Sequence, residues 1–464
     1  MRVGQVGSRV EAVFGVCGGG GRRSGAGILD GGRGAALAWI ADGGRIRTGR
    51  QAVREALTTA RELLADLPPA TVISDRDGMS RLLERLDGES EIAVDTEADS
   101  FYRYQERVCL VQLTVGDEDF LIDPLEDVGL ESLAPVFADP DVVKVLHDGE
   151  FDLTLFQRCH GMRFENLFDT RVACSALGHD GVGLAAVLDR YFDVQLDKSQ
   201  QRSDWGRRPL SDAQMGYARL DTHFLLPLCD RIGEELDRND RRIVHDAEVE
   251  RLIAQQPPPR KPGPHDWLKL KGSRKLDPLG RRVLECAFFA REAEAEKRDR
   301  PPFKVLAHAA LVEFAKRRPR SVNQVMDLPQ VSASQAKRLY PMLQRALEEA
   351  EEQGPIERFP YVPPKDGTGV LDEVGHERHD RLKELRKKLS DRSGMDASLV
   401  LHRATLVSIA HQAPQNRDQL AACEGLCEWQ LETWGDELLR TLDKFEQDLA
   451  SGKLELRRRR RDPR

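Results

Sequence analysis

Nowhere in the sequence does an unbroken apolar stretch approach the roughly 18 residues that a membrane span requires, and no compact apolar segment with a small-residue cleavage site follows the N-terminus. No membrane association is expected, and cytoplasmic residence is the default. Strong positive charge is also missing. With 70 Lys+Arg against 78 Asp+Glu the formal net charge is −8 and the pI is near 5.9, so any contact with nucleic acid has to be local. Cysteine is sparse: eight residues are scattered mostly through apolar runs, which implies buried thiols in a reducing compartment. Cys423 and Cys427 are separated by three residues and have no second pair nearby, which argues against a zinc site. The glycine run Gly18 to Gly21 lacks the lysine of a phosphate loop and follows no strand.

What is present is enough for several cores: 464 residues at 40% hydrophobic content predict about three domains of roughly 150 residues. Residues 1–70, rich in Gly, Arg and Ala, read as a mostly disordered lead-in or as sequence upstream of the native start; only Arg50 to Leu67 has helical spacing. Residues 71–254 alternate short β-branched runs with amphipathic helices. Ile92 to Val94, Val108 to Val115 and Phe120 to Ile122 are predicted as an antiparallel meander, Val142 to Leu146 as a fourth strand. Helices are predicted at Met79 to Leu86, Asp152 to Cys159, Leu184 to Phe192 and Ser211 to Leu236. This order predicts an α/β mixed sheet flanked by helices. A proline-stiffened linker follows at 255–274, then an all-helical block at 275–354, a second linker at 355–376, another helical block at 377–450 and a basic tail at 451–464. Both blocks share an apolar helix, a stretch leading into a second helix (Val305 to Arg317, Ser398 to His411), a proline-containing turn (Pro319, Pro414) and a closing helix, the pattern of a duplicated module whose second copy is the more degenerate.

Three acidic elements carry the chemistry. Asp95-Thr96-Glu97 ends the first strand with two carboxylates on one side of an extended chain, a costly pairing that a divalent cation relieves, although a strand can also simply end in surface acids. The second, His147-Asp148-Gly149-Glu150-Phe151-Asp152, leads into a helix where Asp152 is either a ligand or a cap. In the third, a Ser211/Gln214 capping box starts a helix that sets Tyr217 and Asp221 one turn apart on one face, as a catalytic or merely hydrogen-bonded pair. The doublets His147-Asp148 and His245-Asp246 raise an HD-type metal hydrolase, but that chemistry needs a further His and a distant Asp on packed helices, and His147 ends a strand.

The ordered set D-x-E, H-x4-D and Y-x3-D resembles the exonuclease motifs of the tyrosine-bearing branch of the DEDD superfamily. Leu196-Asp197-Lys198-Ser199, Ser203-Asp204-Trp205, Arg208-Pro209-Leu210 and Val111-Gln112-Leu113 near Ile122-Asp123-Pro124 resemble phrases of the ribonuclease D family over about residues 72–250, and Pro302-Phe303-Lys304-Val305-Leu306 resembles the start of an HRDC module. The resemblance implies a ribonuclease H-like mixed sheet followed by two HRDC-like modules. It further implies a 3′→5′ exoribonuclease that trims RNA ends, with precursor tRNA as substrate and no stable protein partner. Asp95, Glu97, Asp152 and Asp221 would hold two divalent cations, Mg²⁺ or Mn²⁺, and Tyr217 would orient the attacking water. Asp148 and Glu150 are rival acids in the second element; spacing from His147 favours Asp152. Lys198, Arg202, Arg207 and Arg208 sit where cations meet phosphates, with Trp205 either stacked on a base or anchoring its loop. A DNA exonuclease with the same acids is the alternative; a noncatalytic RNA-binding scaffold is the third reading.

Overall fold

The computed structural model describes residues 67–454 except 256, 258–260 and 361–369, together with Leu64 and the strand pairs at 41–42, 45–46 and 58–59. The helical segment expected over Arg50 to Leu67 lies mostly outside the described residues, as do parts of both proline-rich breaks and the whole Arg457 to Arg461 run.

Six strands form the central sheet: β1 (Thr71–Ile73), β2 (Glu91–Ala98), β3 (Val108–Val115), β4 (Glu118–Ile122), β5 (Val143–Leu146) and β6 (Leu167–Asp169), in the order β1-β4-β3-β2-β5-β6. The predicted meander is present: β2–β3 and β3–β4 are antiparallel, while β1–β4, β2–β5 and β5–β6 are parallel. Among the described residues, the helices of seven residues or more in this region are α1 (Arg76–Leu86), α2 (Glu150–His160), α3 (Thr170–Ala176), α4 (Leu184–Phe192), α5 (Asp212–His223), α6 (Leu225–Arg238) and α7 (Arg242–Ala254). Ile92 and Val94 of β2 enter an apolar cluster with α1 and α2, whereas Ala93 enters another with α6. The sheet is thus covered on both faces, which is why its strands read as apolar runs instead of a clean alternation.

Two expectations are corrected. The helix predicted over Ser211 to Leu236 is α5 and α6, parted at Phe224. Pro227 has no N–H to give the carbonyl four residues back, at His223, and its ring crowds that carbonyl. β2 runs past Val94 to Ala98 because the acidic segment still pairs with β3, through Asp95↔Gln112 and Glu97↔Leu110.

The remainder is helical: α8 (Pro278–Lys297), α9 (His308–Arg317), α10 (Val322–Met326), α11 (Ala333–Gln353), then α12 (Glu373–Ser393), α13 (Arg403–Gln412), α14 (Arg417–Ala421) and α15 (Glu428–Ala450). The duplication is visible atom by atom, at a constant offset of 95 residues. Asp277 and Asp372 accept the N–H of Gly280 and Gly375 as N-caps, Arg318 and Ala413 are left-handed C-caps, and the Ser332/Gln335 box recurs at Cys427/Gln430. The stretches expected to lead into a second helix from Val305 and from Ser398 each pass through an extended residue, Leu306 or Leu401, whose carbonyl accepts from Arg291 or Arg386, before α9 or α13 begins.

Both modules pack on the nuclease region. Asp299 of the first accepts from Arg103 Nη1 at 2.6 Å and from the Tyr104 N–H, and Lys304 lies 4.0 Å from the centre of the Tyr102 ring. The second shares one apolar cluster with α6, in which Leu228, Ile232 and Leu236 join Leu399, Val400 and Trp434. Arg241 donates to Met395 Sδ and to the Ser393 carbonyl, and His402 Nε2 meets Glu248 Oε2 at 2.6 Å. Among the described residues no helix is long and apolar enough to cross a membrane.

Candidate metal centre and nucleic-acid cleft

β2 outruns its parallel neighbour: its pairing with β5 ends at Ala93↔Val145, so Asp95, Thr96 and Glu97 project beyond the end of β5. Strand alternation puts Asp95 and Glu97 on the face of Ala93, toward α5, and Thr96 on the other. From the first face α5 brings Asp221, and one carboxylate oxygen each of Asp95, Glu97 and Asp221 lie within 4.8 Å of one another. From the second face α2 brings Asp152, which accepts a hydrogen bond from Thr96 Oγ1. Asp152 stands outside the triangle of Asp95, Glu97 and Asp221 but lines the same cleft of about 340 Å³, along with His147, Asp148, Phe151, Lys198 and Tyr217.

The scaffold explains why α5 sits there. Ser211 and Gln214 form the predicted capping box, and Arg219 and His223 both bind the buried Asp119 of β4, whose pKa they lower against its desolvation; Thr114 adds a hydroxyl. These bonds clamp the helix to β3 and β4 two residues either side of Asp221.

Burial raises every acid of the centre, and mutual repulsion adds to it. Asp95 is pushed well above the ordinary carboxylate range by desolvation and then by Asp152, Asp221 and Glu97. Glu97 rises to about 9 through desolvation, Asp221 and Asp152; Asp221 rises to about 8 through desolvation, opposed by its bond from Tyr217. Asp152 rises to about 7, desolvation outweighing the Thr96 bond. Tyr217 is pushed far up by burial and by these anions, so its hydroxyl keeps its proton. An all-oxygen donor set held apart only by desolvation and like charge fits a hard divalent cation, which relieves both penalties.

A pH dependence follows from these raised values. The unfolded carboxylates titrate near pH 4. The folded forms bind extra protons above that, so the stabilising contribution is complete below about pH 4 and is lost as the pH rises through about 7 to 9. The metal-free protein should lose thermal stability over that window and saturating Mn²⁺ should remove the trend. A melting temperature in EDTA that stays level or rises with pH would contradict this.

The other expected site residues divide. Lys198, Arg202 and Arg207 are exposed, Lys198 lines the cleft, and the Arg202 guanidinium lies 5.9 Å from the Phe101 ring centre. Of the two roles open to Trp205, stacking on a base or anchoring its loop, the structure has the second: it is 1% exposed and packed with Cys109, Leu110, Leu121 and Ala218. Arg208 is an anchor too, binding Asp123 through two nitrogens and donating to the carbonyls of Cys109 and Trp205. Of the rival acids, Asp148 is solvent-facing and paired with Arg171 at 3.2 Å, and Glu150 is exposed. The HD doublets do not converge on a metal site: His147 Nδ1 meets Thr170 Oγ1, while His245 Nε2 accepts the Asp169 N–H and Nδ1 bonds Asp246. Sequence reading passed over Phe151, a 47% exposed aromatic in the cleft, whose signal was an apolar side chain one residue ahead of the buried acid.

Comparison with known proteins agrees with this geometry. Residues 70–237 match a 3′-5′ exonuclease family model, and residues 281–347 and 376–442 each match the HRDC domain. Ribonuclease D of Sphingobium indicum is 31% identical over 394 residues, 82% of this chain and 95% of that protein. An exosome complex component 10 homolog of Caenorhabditis elegans is 34% identical over 260 residues, but the match spans only 30% of its length. The crystal structure of Escherichia coli RNase D, an exoribonuclease involved in structured RNA processing, superposes with a TM-score of 0.60 at 25% identity, over 81% of this chain and 99% of that one. The chain therefore belongs to the ribonuclease D family of metal-dependent 3′→5′ exoribonucleases, a nuclease domain followed by two HRDC domains.

Proposed function

We propose that the exoribonuclease activity of this chain is two-ion hydrolysis of RNA 3′ ends at Asp95, Glu97, Asp152 and Asp221, releasing nucleoside 5′-monophosphates, with precursor tRNA as substrate. The observation that carries it is the convergence of three carboxylates, two half-buried and one buried, within 4.8 Å, with a fourth reaching the same cleft from the opposite face of the sheet. Mg²⁺ or Mn²⁺ suits these oxygen donors and, when bound, would activate water and neutralise charge on the scissile phosphate. Tyr217, kept protonated and bonded to Asp221, lines the same cleft and would orient the attacking water there. Phe151 offers the open aromatic face for the terminal base that Trp205 does not, and Lys198 offers a cation to the phosphate chain. The seven cysteines among the described residues are free thiols, which fits a reducing compartment such as the cytoplasm.

The test is purified protein with Mn²⁺ and a 5′-labelled RNA carrying a 3′-hydroxyl, beside the matched DNA. Shortening of the RNA one nucleotide at a time, faster than the DNA, is expected; internal fragments, or preference for the DNA, would overturn the reading. Phe151→Ala should raise KM by about tenfold at nearly unchanged kcat, in keeping with the loss of one stacked base. Lys198→Ala should weaken binding and flatten the salt dependence of log K by about one unit of slope. A kcat loss without a KM change in either variant would assign that side chain a different role.

A further inference from the structure

We propose that Asp169, helped by Thr170, is a positioning residue that builds the elbow from which Asp152 enters the metal centre. The inference rests on Asp152 being a ligand there. The chain leaves β5 at Leu146 and turns through His147, Asp148 and Gly149 into α2. Asp148 is forced into the left-handed region at φ 63°, and a Cβ on Gly149 would lie 2.7 Å from Leu146 Cδ2. The N-cap residue Gly149 has no side chain to cap the helix. Both conditions leave the turn costly and its amides in need of an acceptor.

The neighbouring parallel strand supplies that acceptor. Register sets Leu146 opposite Asp169, the last residue of β6. The Asp169 carboxylate is buried and accepts from both sides. Oδ2 takes the Gly149 N–H at 2.8 Å. Oδ1 takes the Asp148 N–H at 3.2 Å and caps α3 through the N–H groups of Arg171 and Val172 at 2.9 and 3.0 Å. Thr170 Oγ1 donates to the Leu146 carbonyl and meets His147 Nδ1 at 2.8 Å. Behind them His245, itself buried, accepts the Asp169 N–H and stacks on Phe168 with ring centres 4.4 Å apart. Every turn residue between β5 and α2 is therefore held from β6 and the start of α3. Asp152 is three residues further on, and its height above Thr96 is set by that turn.

Asp169→Asn separates this role from capping. The amide oxygen replaces Oδ1 and keeps the α3 cap, whereas the amide nitrogen faces the Gly149 N–H, donor against donor. In the full chain the variant should melt cooperatively close to the wild type, yet bind Mn²⁺ about 10- to 100-fold more weakly by calorimetry and lose a similar factor in kcat, the range seen when a group behind a ligand is removed. Thr170→Val, which frees His147 and the Leu146 carbonyl, should shift the Mn²⁺ dissociation constant in the same direction and decides the matter if Asp169→Asn does not fold. Wild-type Mn²⁺ affinity in the folded variant, with Asp152→Asn inactive, would overturn the elbow and leave the four-acid centre standing. An active Asp152→Asn would remove the centre itself.

Discussion

Replacing Asp95 by Ala should cut RNA shortening by on the order of 10³-fold or more, while the metal-free protein stays folded and melts at a higher temperature than the wild type near pH 8. Asp95 is the residue on which the other acids converge: its charge is opposed by Asp152, Asp221 and Glu97 together. With cations present, its removal takes away an oxygen donor at the centre of the group. Without them, it takes away a carboxyl that desolvation and three neighbouring acids weigh against. Opposite effects on activity and on metal-free stability are the mark of a metal ligand, since a merely structural Asp would lose both. The contrast within the second motif is equally sharp. Asp152→Asn should be inactive, whereas Glu150→Gln and Asp148→Asn, whose carboxylates are exposed, should remain within about twofold of the wild type. A primer-extension-style gel of 5′-labelled RNA with a thermal melt in EDTA reads all four variants. Activity of Asp95→Ala within about tenfold of the wild type would contradict the assignment.

The second large effect lies far from the chemistry. Gly178 follows α3 at φ 73°, and a Cβ there would lie 2.0 Å from the Gly394 carbonyl oxygen of the second HRDC domain. Gly178→Ala combines a left-handed alanine, about 1 kcal/mol, with a backbone collision that only separation of the two domains relieves, so a total of about 3 kcal/mol is expected. The melting temperature should fall by roughly 6 to 12 °C. The same contact governs truncation. Because Leu228, Ile232 and Leu236 share an apolar cluster with Leu399, Val400 and Trp434, a chain ending after Ala254 should aggregate before any loss of RNA affinity can be measured. Were the modules joined to the nuclease only by their linkers, removing everything after about residue 265 would instead weaken RNA binding more than the chemical step. A monodisperse, cooperatively melting nuclease fragment would restore that simpler picture.

What could be read in the sequence was what is local. D-x-E is a property of strand alternation, Y-x3-D of the helical repeat, and the Ser211/Gln214 box of one helix start, so each was visible within a dozen residues. Pro227 was equally local, and the break it makes at Phe224 was within reach of the same reasoning. Contacts made across the sheet were out of reach. Asp169 serves the elbow only because β6 lies beside β5, and the fates of Trp205 and Arg208 depend on Cys109 of β3, Leu121 of β4 and Asp123 just past the end of β4. A tryptophan and an arginine in a basic loop look alike whether they face RNA or the core. The domain docking was hidden for the same reason: Glu248 and His402 meet across the whole first HRDC domain, and proline-rich breaks suggested modules joined only by their linkers.

The most direct measurement of the central claim is anomalous scattering from crystals of the full chain soaked in Mn²⁺. Two peaks about 4 Å apart are predicted, one within reach of Asp95, Glu97 and Asp221 and the other bridging toward Asp152. A cleft without manganese, or manganese bound only at exposed acids such as Asp148 and Glu150, would contradict it.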